Sequence, residues 1–295
     1  VANDESARVE AESMRLVHQL IKKELGWHSE EVSIEFQDSG LTNRNFIVFN
    51  GGEKVVVRIG GAKSHELGIN RHAEAAALQV LDGHSIAPEL LFLDPENGHM
   101  ITRFVQGRAF RDEDLMEQID GIVDLFKRIH QMPSIAYEFS PYRDIEDRIQ
   151  LARARQLSLP STLDSLVNKL LNIQHSRALE AARFRGFCHN DPFANNFLYD
   201  GSIRLLDWEY AGMGDILFDL ACMGCSFTPN EKERLLSSYF GEAEGKALLS
   251  ALDNMIFVVQ FWNAMWATLQ IGQPHPTHDY AKIADYMFKS LESQL

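Results

Sequence analysis

Cysteine is scarce in this chain: three residues in 295, at Cys188, Cys222 and Cys225. Three thiols cannot build a disulfide framework or complete a four-thiolate zinc site. The C-x-x-C of "ACMGC" falls in an apolar segment that reads as helix, where positions three apart are simply neighbours. The cysteines are therefore expected to serve as small buried hydrophobes. Basic charge is also short, with 28 Lys and Arg against 42 Asp and Glu. The resulting net charge of −14 disfavours a nucleic-acid groove and favours the approach of cations. No apolar run is long enough to span a bilayer, and "VANDESARVE" lacks a signal-peptide pattern, so a cytoplasmic protein with no membrane partner is expected. A linker rich in Pro, Gly or Ser, a low-complexity tract and an internal repeat are likewise missing, which argues for lobes packed together.

What is present is an ordinary globular composition, 45% hydrophobic and 24% charged, in a chain long enough for two lobes. Met14, Val17, Leu20 and Ile21 recur at helical spacing within Ser6 to Leu25. The period then changes. "VSIEF" alternates as a strand, and "NFIVF" and "KVVVRI" flank an Asn-Gly turn, a strong hairpin signal. "RHAEAAALQVLDG" reads as a helix ended at Asp82-Gly83, and "PELLFLD" and "HMITRF" add two strands. These elements predict a five-stranded antiparallel sheet with one inserted helix, spanning residues 1–106. From residue 107 to 295 the pattern is helical (Leu115 to His130, Ile145 to Arg155, Leu163 to Arg183, and a tail from Glu231), interrupted by a hairpin, "NFLYDGSIRLL". The fold class is α+β: a bilobal chain with a small β-rich lobe and a larger helical one, and a cleft suited to a phosphorylated ligand.

The chemistry concentrates in "HNDPFANN" and "LLDWEYAG". Phosphoryl transfer needs hard oxygen ligands for metal on the phosphates and a group that orients the acceptor hydroxyl. The first stretch fits H-x-D-x-x-x-x-N: Asp191 is placed to take or orient a hydroxyl proton, and Asn196 to offer an amide oxygen to magnesium. Asp207 ends the second strand of the hairpin, where a further carboxylate reaches the same ion. A loop Asp or an N-capping Asn is commonplace singly. The ordered set after a β-rich lobe is not. His189 is expected to organise the loop.

These residues carry a resemblance to the choline/ethanolamine kinase family, within the aminoglycoside-phosphotransferase and protein-kinase-like fold, strongest from Cys188 to Ala221. The resemblance implies ATP and Mg2+ as cofactors, Asp191 as catalytic base, Asn196 and Asp207 as metal ligands and Asp219 of "FDLA" as a structural residue. "DSGLTNRNF" resembles the phosphate loop, with Ser39, Thr42 and Asn43 as candidates. Arg58 stands where protein kinases keep a strand lysine, and Glu74 is its expected partner. "TRFVQGR" resembles the hinge, so Arg103, Phe104 and Val105 are expected to meet the nucleotide through their backbone.

The expected acceptor is a small cationic amino alcohol, choline first, which aromatic faces hold by cation–π attraction. Trp262 and Trp266 lie four apart on one helix face, and with Tyr210 and Tyr280 they match the family's aromatic walls. The family spaces its tryptophans by three, and Asn263 occupies that place here. Glu209 adds negative charge near the site. An ethanolamine or aminoglycoside-type kinase and a catalytically silent nucleotide-binding module are the alternatives.

Overall fold

The computed structural model describes residues 2–37, 43–61, 64–272 and 278–295. The candidates Ser39 and Thr42 lie outside the described residues. The chain opens with α1 (Ala2–Leu25), β1 (Val32–Gln37), β2 (Arg44–Asn50), β3 (Glu53–Ile59), α2 (Arg71–Leu81), β4 (Leu90–Asp94) and β5 (His99–Arg103). It continues through β6 (Arg108–Ala109), α3 (Asp112–Glu117), α4 (Ile119–His130), α5 (Pro141–Ala154), α6 (Leu163–Ala178), α7 (Ala181–Phe184) and β7 (Arg185–Cys188). Then come β8 (Phe197–Tyr199), β9 (Ile203–Leu205), β10 (Gly212–Asp215), α8 (Ile216–Gly224), α9 (Pro229–Phe240), α10 (Glu242–Ala247), α11 (Leu249–Leu269) and α12 (Tyr280–Glu292). Among the described residues no helix is long and apolar enough to cross a membrane.

The first five strands form one antiparallel sheet, as the alternating runs predict, and its order is β1-β2-β3-β5-β4. Alternation along β2 and β3 buries Phe46, Val48, Val55 and Val57 on one face, against Val17 and Ile21 of α1. α2 starts at Asn70, whose side chain accepts from the N–H groups of His72 and Ala73. Its apolar face does not join that core. Ala77, Leu78 and Leu81 pack into a second, larger core with α4, α5, α8 and α11, so α2 is a small-lobe helix by sequence and a large-lobe helix by packing. The loop after α2 docks likewise, with the Leu205 N–H donating to Ile86 O at 2.9 Å.

Two details differ from the sequence reading. The expected helix from Leu115 to His130 is divided into α3 and α4 at Gln118, whose N–H still donates to Asp114 O at 2.9 Å but whose backbone, at φ −104° and ψ 18°, leaves the helical path. Three short strands went unseen: the two-residue β6, which pairs with β8, and β7 and β10, which pair antiparallel with each other. Their sequences, RGFC and GMGD, carry too few alternating positions to signal a strand.

Close backbone approach at the tip of β3 leaves no room for side chains at two glycines. A Cβ on Gly60 would collide with the Asn97 carbonyl oxygen, and one on Gly98, at φ +70°, would lie 2.6 Å from Arg71 Nε. Gly60→Ala and Gly98→Ala are each expected to cost about 1–3 kcal/mol, read as a lowered urea midpoint. Gly52→Ala is the contrast, because that position has open space around it and no left-handed backbone.

Candidate active site

The HNDPFANN loop hangs from one buried carboxylate. Asp219, on α8, accepts from the His189 N–H at 3.0 Å and the Asn190 N–H at 2.6 Å, and faces His130 Nε2 at 3.1 Å. It is fully buried, and these donors compensate its charge. His130, Cys188 and Asp219 lie close enough to suggest a metal trio. Asp219 is already spent on those donors, however, and burial pushes the Cys188 thiol well above its ordinary value. The cluster is a hydrogen-bonded post.

His189 is likewise buried. Its Nε2 donates to Leu206 O at 2.8 Å, while Nδ1 accepts from the Asp191 N–H at 3.1 Å, which defines a neutral imidazole of one tautomer. The ring joins the two halves of the site, the Asp191 loop and the strand end before Asp207. Asn190, at φ +67°, donates from Nδ2 to Tyr210 O at 2.9 Å and makes a second such link.

Asn196 donates from Nδ2 to both Asp191 O (2.8 Å) and Asp191 Oδ2 (3.0 Å). That fixes which way Asp191 points and leaves the Asn196 amide oxygen toward other partners. Leu206 N–H donates to Asn196 O at 2.8 Å, which seats Asp207 beside it. Asp207 itself takes φ +59°, a left-handed conformation uncommon for a residue with a side chain.

Three carboxylates therefore converge. Burial, and then the charges of Asp207 and Glu209, hold the Asp191 carboxyl well above the usual carboxylate range. Burial and Glu209 push Asp207 up to about 8, against the opposing pull of the Arg58 and Arg71 charges. Such crowding is relieved by a cation. The oxygen-only donor set of Asn196 and Asp207 fits a hard divalent ion such as Mg2+.

Across the cleft, Arg58 grips Glu74 with two bonds, NH1 to Oε1 at 2.5 Å and NH2 to Oε2 at 2.7 Å, and donates from Nε to Gly98 O at 3.2 Å. Burial opposes both charges, and their pairing outweighs it: Arg58 is held more firmly protonated and Glu74 more firmly ionised than usual. Glu209, expected at the acceptor, instead faces this cluster. Its Oε2 accepts from Asn43 Nδ2 at 2.8 Å and from Arg71 NH1 at 3.1 Å. Arg71 escaped the sequence reading because a basic residue at the start of a helix looks like an exposed one.

At the hinge, Arg103 is a half-buried residue bridging Glu53 and Glu89, and the Phe104 N–H donates to Lys54 O at 3.1 Å. Val105 lies half-buried beside them.

The acceptor side is less open than the four aromatics suggested. Trp262 is buried, its edge meets Tyr210 at 4.8 Å between ring centroids, and the Arg148 guanidinium lies 4.2 Å over its ring. Trp262 Nε1 donates to Asp144 Oδ2 at 3.2 Å. The expectation that Trp262 offers its face to an acceptor is thus corrected: the chain's own cation takes it. Tyr210, also buried, donates through its hydroxyl to Leu67 O at 3.3 Å. One turn along α11, half-buried Trp266 packs edge-to-face on Tyr280 at 5.9 Å. Neither Arg148 nor Asp144 was legible beforehand, since both look like surface residues of a polar helix.

A five-stranded sheet and a helical lobe that meet at an H-x-D loop, an Asn five residues after its Asp, and a strand-end Asp define the kinase-like class of phosphotransferases. The chain matches the phosphotransferase enzyme (APH) family over residues 33–253, three quarters of its length, and belongs to that family. It is 24% identical over 313 aligned positions to ethanolamine kinase 2 of Rattus norvegicus, an alignment that covers 94% of this chain and 79% of that protein. It is 29% identical over 197 positions to protein LicA of Haemophilus influenzae, covering 64% of this chain and 57% of the relative. Among solved structures, the choline kinase LicA from Streptococcus pneumoniae superposes with a TM-score of 0.79 at 22% identity, over 96% of this chain and 99% of that one, and so shares the fold.

The buried imidazole makes stability depend on pH. His189 falls from an ordinary 6.5 to about 4 through burial, so its neutral form is the one that folds. The unfolded chain binds the proton first, and stability is lost as pH drops from about 6.5 toward 4. The advantage of wild type over His189→Gln is expected to shrink by about 3 kcal/mol between pH 7 and pH 4, measured by urea unfolding.

Proposed function

We propose that this chain transfers the γ-phosphoryl group of ATP to the hydroxyl of a small cationic amino alcohol, with choline the leading acceptor. The observation that carries the reading is Asp191: a carboxylate oriented by Asn196 and raised in basicity by its burial, at the meeting of the two lobes. A base of raised pKa accepts a hydroxyl proton more readily near neutrality. In this reading the acceptor hydroxyl donates to the free oxygen of Asp191 and is thereby aimed at the phosphoryl group. Asn196 and Asp207 would hold Mg2+, which when bound neutralises phosphate charge. Arg58, its position set by Glu74 and Gly98, adds a fixed positive charge behind the phosphates, and Asn43 is tied to Glu209 at 2.8 Å. The hinge residues Arg103 to Val105 offer backbone groups for the base.

Support for choline comes from half-buried Trp266, which packs edge-to-face on the buried Tyr280 and whose aromatic surface suits an ammonium that has no N–H to donate. A second reading, ethanolamine, is favoured by Asp144. This partly exposed carboxylate beside Trp262 and Arg148 could accept from a primary ammonium. Glu209, tied to Arg71 and Asn43, belongs with the nucleotide half of the site.

An ADP-release assay over choline, ethanolamine and kanamycin tests the proposal. Wild type is expected to turn over an amino alcohol, and Asp191→Asn to lower kcat by about 10²–10⁴ with little change in acceptor KM. Equal rates for the two proteins with every acceptor would sink the catalytic assignment. Turnover of kanamycin alone would move the acceptor class. Trp266→Ala is expected to raise the KM for choline by about tenfold, the equivalent of a cation–π contact of roughly 1.4 kcal/mol, and to leave the KM for ATP unchanged.

A further inference from the structure

Arg71 is buried, and its two terminal nitrogens meet acceptors from four separate segments. NH1 donates to Glu74 Oε2 at 2.9 Å and Glu209 Oε2 at 3.1 Å; NH2 donates to Asn43 Oδ1 at 2.7 Å and Ser64 Oγ at 2.9 Å. Asn43 closes a ring by donating to the same Glu209 oxygen at 2.8 Å. Gly98 supplies the space for the guanidinium, since a Cβ there would strike Arg71 Nε. Glu74 is the carboxylate that fixes Arg58, and Glu209 lies two residues beyond Asp207 on the same short loop. The phosphate-facing arginine and the metal-facing loop are therefore joined through one planar group.

We infer that Arg71 is a positioning residue for the proposed phosphoryl transfer: it holds Glu209, and through that loop Asp207, in register with the small-lobe residues that face the nucleotide phosphates. A planar fork can satisfy two carboxylates, an amide and a hydroxyl at once, whereas an ammonium presents its three donors from a single point. Arg71→Lys thus keeps the buried charge and loses the simultaneous grip. The inference rests on the phosphotransferase reading only for its kinetic arm.

The test compares wild type, Arg71→Lys, Glu209→Gln and the double variant by calorimetric titration with Mg·AMP-PNP, by ADP-release kinetics and by thermal melting. Arg71→Lys is expected to bind Mg·AMP-PNP about tenfold more weakly and to lose at least as much in kcat, while acceptor KM stays within about twofold. The double variant is expected to bind no more weakly than the worse single one, because both changes break the same link. A role in packing alone would lower the melting temperature without separating nucleotide affinity from acceptor KM. If Arg71→Lys melts more than about 5 °C below wild type, Glu209→Gln, which keeps its shape, decides by the same tenfold criterion. A folded variant that binds Mg·AMP-PNP within twofold of wild type, or a fully additive double variant, overturns the inference. Wild-type binding of Mg·AMP-PNP without turnover of any acceptor would instead overturn the functional reading, with the binding arm still deciding the role of Arg71.

Discussion

The buried charge network of Arg58, Glu74, Arg71 and Glu209 is the constraint on which the two-lobed arrangement depends. Four ionised groups removed from water are costly unless every one is matched, and here each carboxylate meets at least one guanidinium. Such a network tolerates few alternative arrangements. A shift of the sheet relative to the Asp207 loop by the length of a hydrogen bond would leave a buried charge without its partner. The helix that carries Arg71 and Glu74 is also cemented into the large core by Ala77, Leu78 and Leu81, so packing and charge hold the same element in the same place.

On the other side of the cleft, precision comes from hydrogen bonds to backbone. Asp219 fixes two consecutive N–H groups, His189 ties the Asp191 loop to Leu206, and Asn190 ties it to Tyr210. Left-handed backbone at Asn190 and Asp207 is sustained by these ties. The result is a rigid floor that presents Asp191 and Asp207 from different chain segments at one spot. The small lobe brings its charges to that floor.

The HNDPFANN half of this site was legible because its residues are close in sequence and their spacing forms one pattern. Asp191, Asn196 and Asp207 fall within seventeen positions and are separated by a readable hairpin. Arg58 and Glu74 were legible by order along the chain. Arg71, Asp144 and Arg148 were not, since their roles arise only where the connector before α2 folds onto α5 and α11, with Leu67 O accepting from Arg148 NH2 at 2.7 Å. Trp262 was misread for the same reason: helical spacing showed which face it shares with Trp266 and could not show that Arg148 already lay against it. The five antiparallel strands followed from alternation and turn residues, whereas their order, and the β7–β10 pair that is too short to alternate, arise from tertiary pairing alone.

The cysteines acquire a use that their scarcity conceals. Cys188 directly precedes the HNDPFANN loop and Cys222 lies on the helix that carries Asp219; both are free thiols sealed from water and held far from ionisation by burial. A thiol in that condition is invisible to alkylating reagents until the large core opens. The chain therefore carries its own chemical clock, in which the rate of labelling at these two positions reports how often the floor of the cleft comes apart.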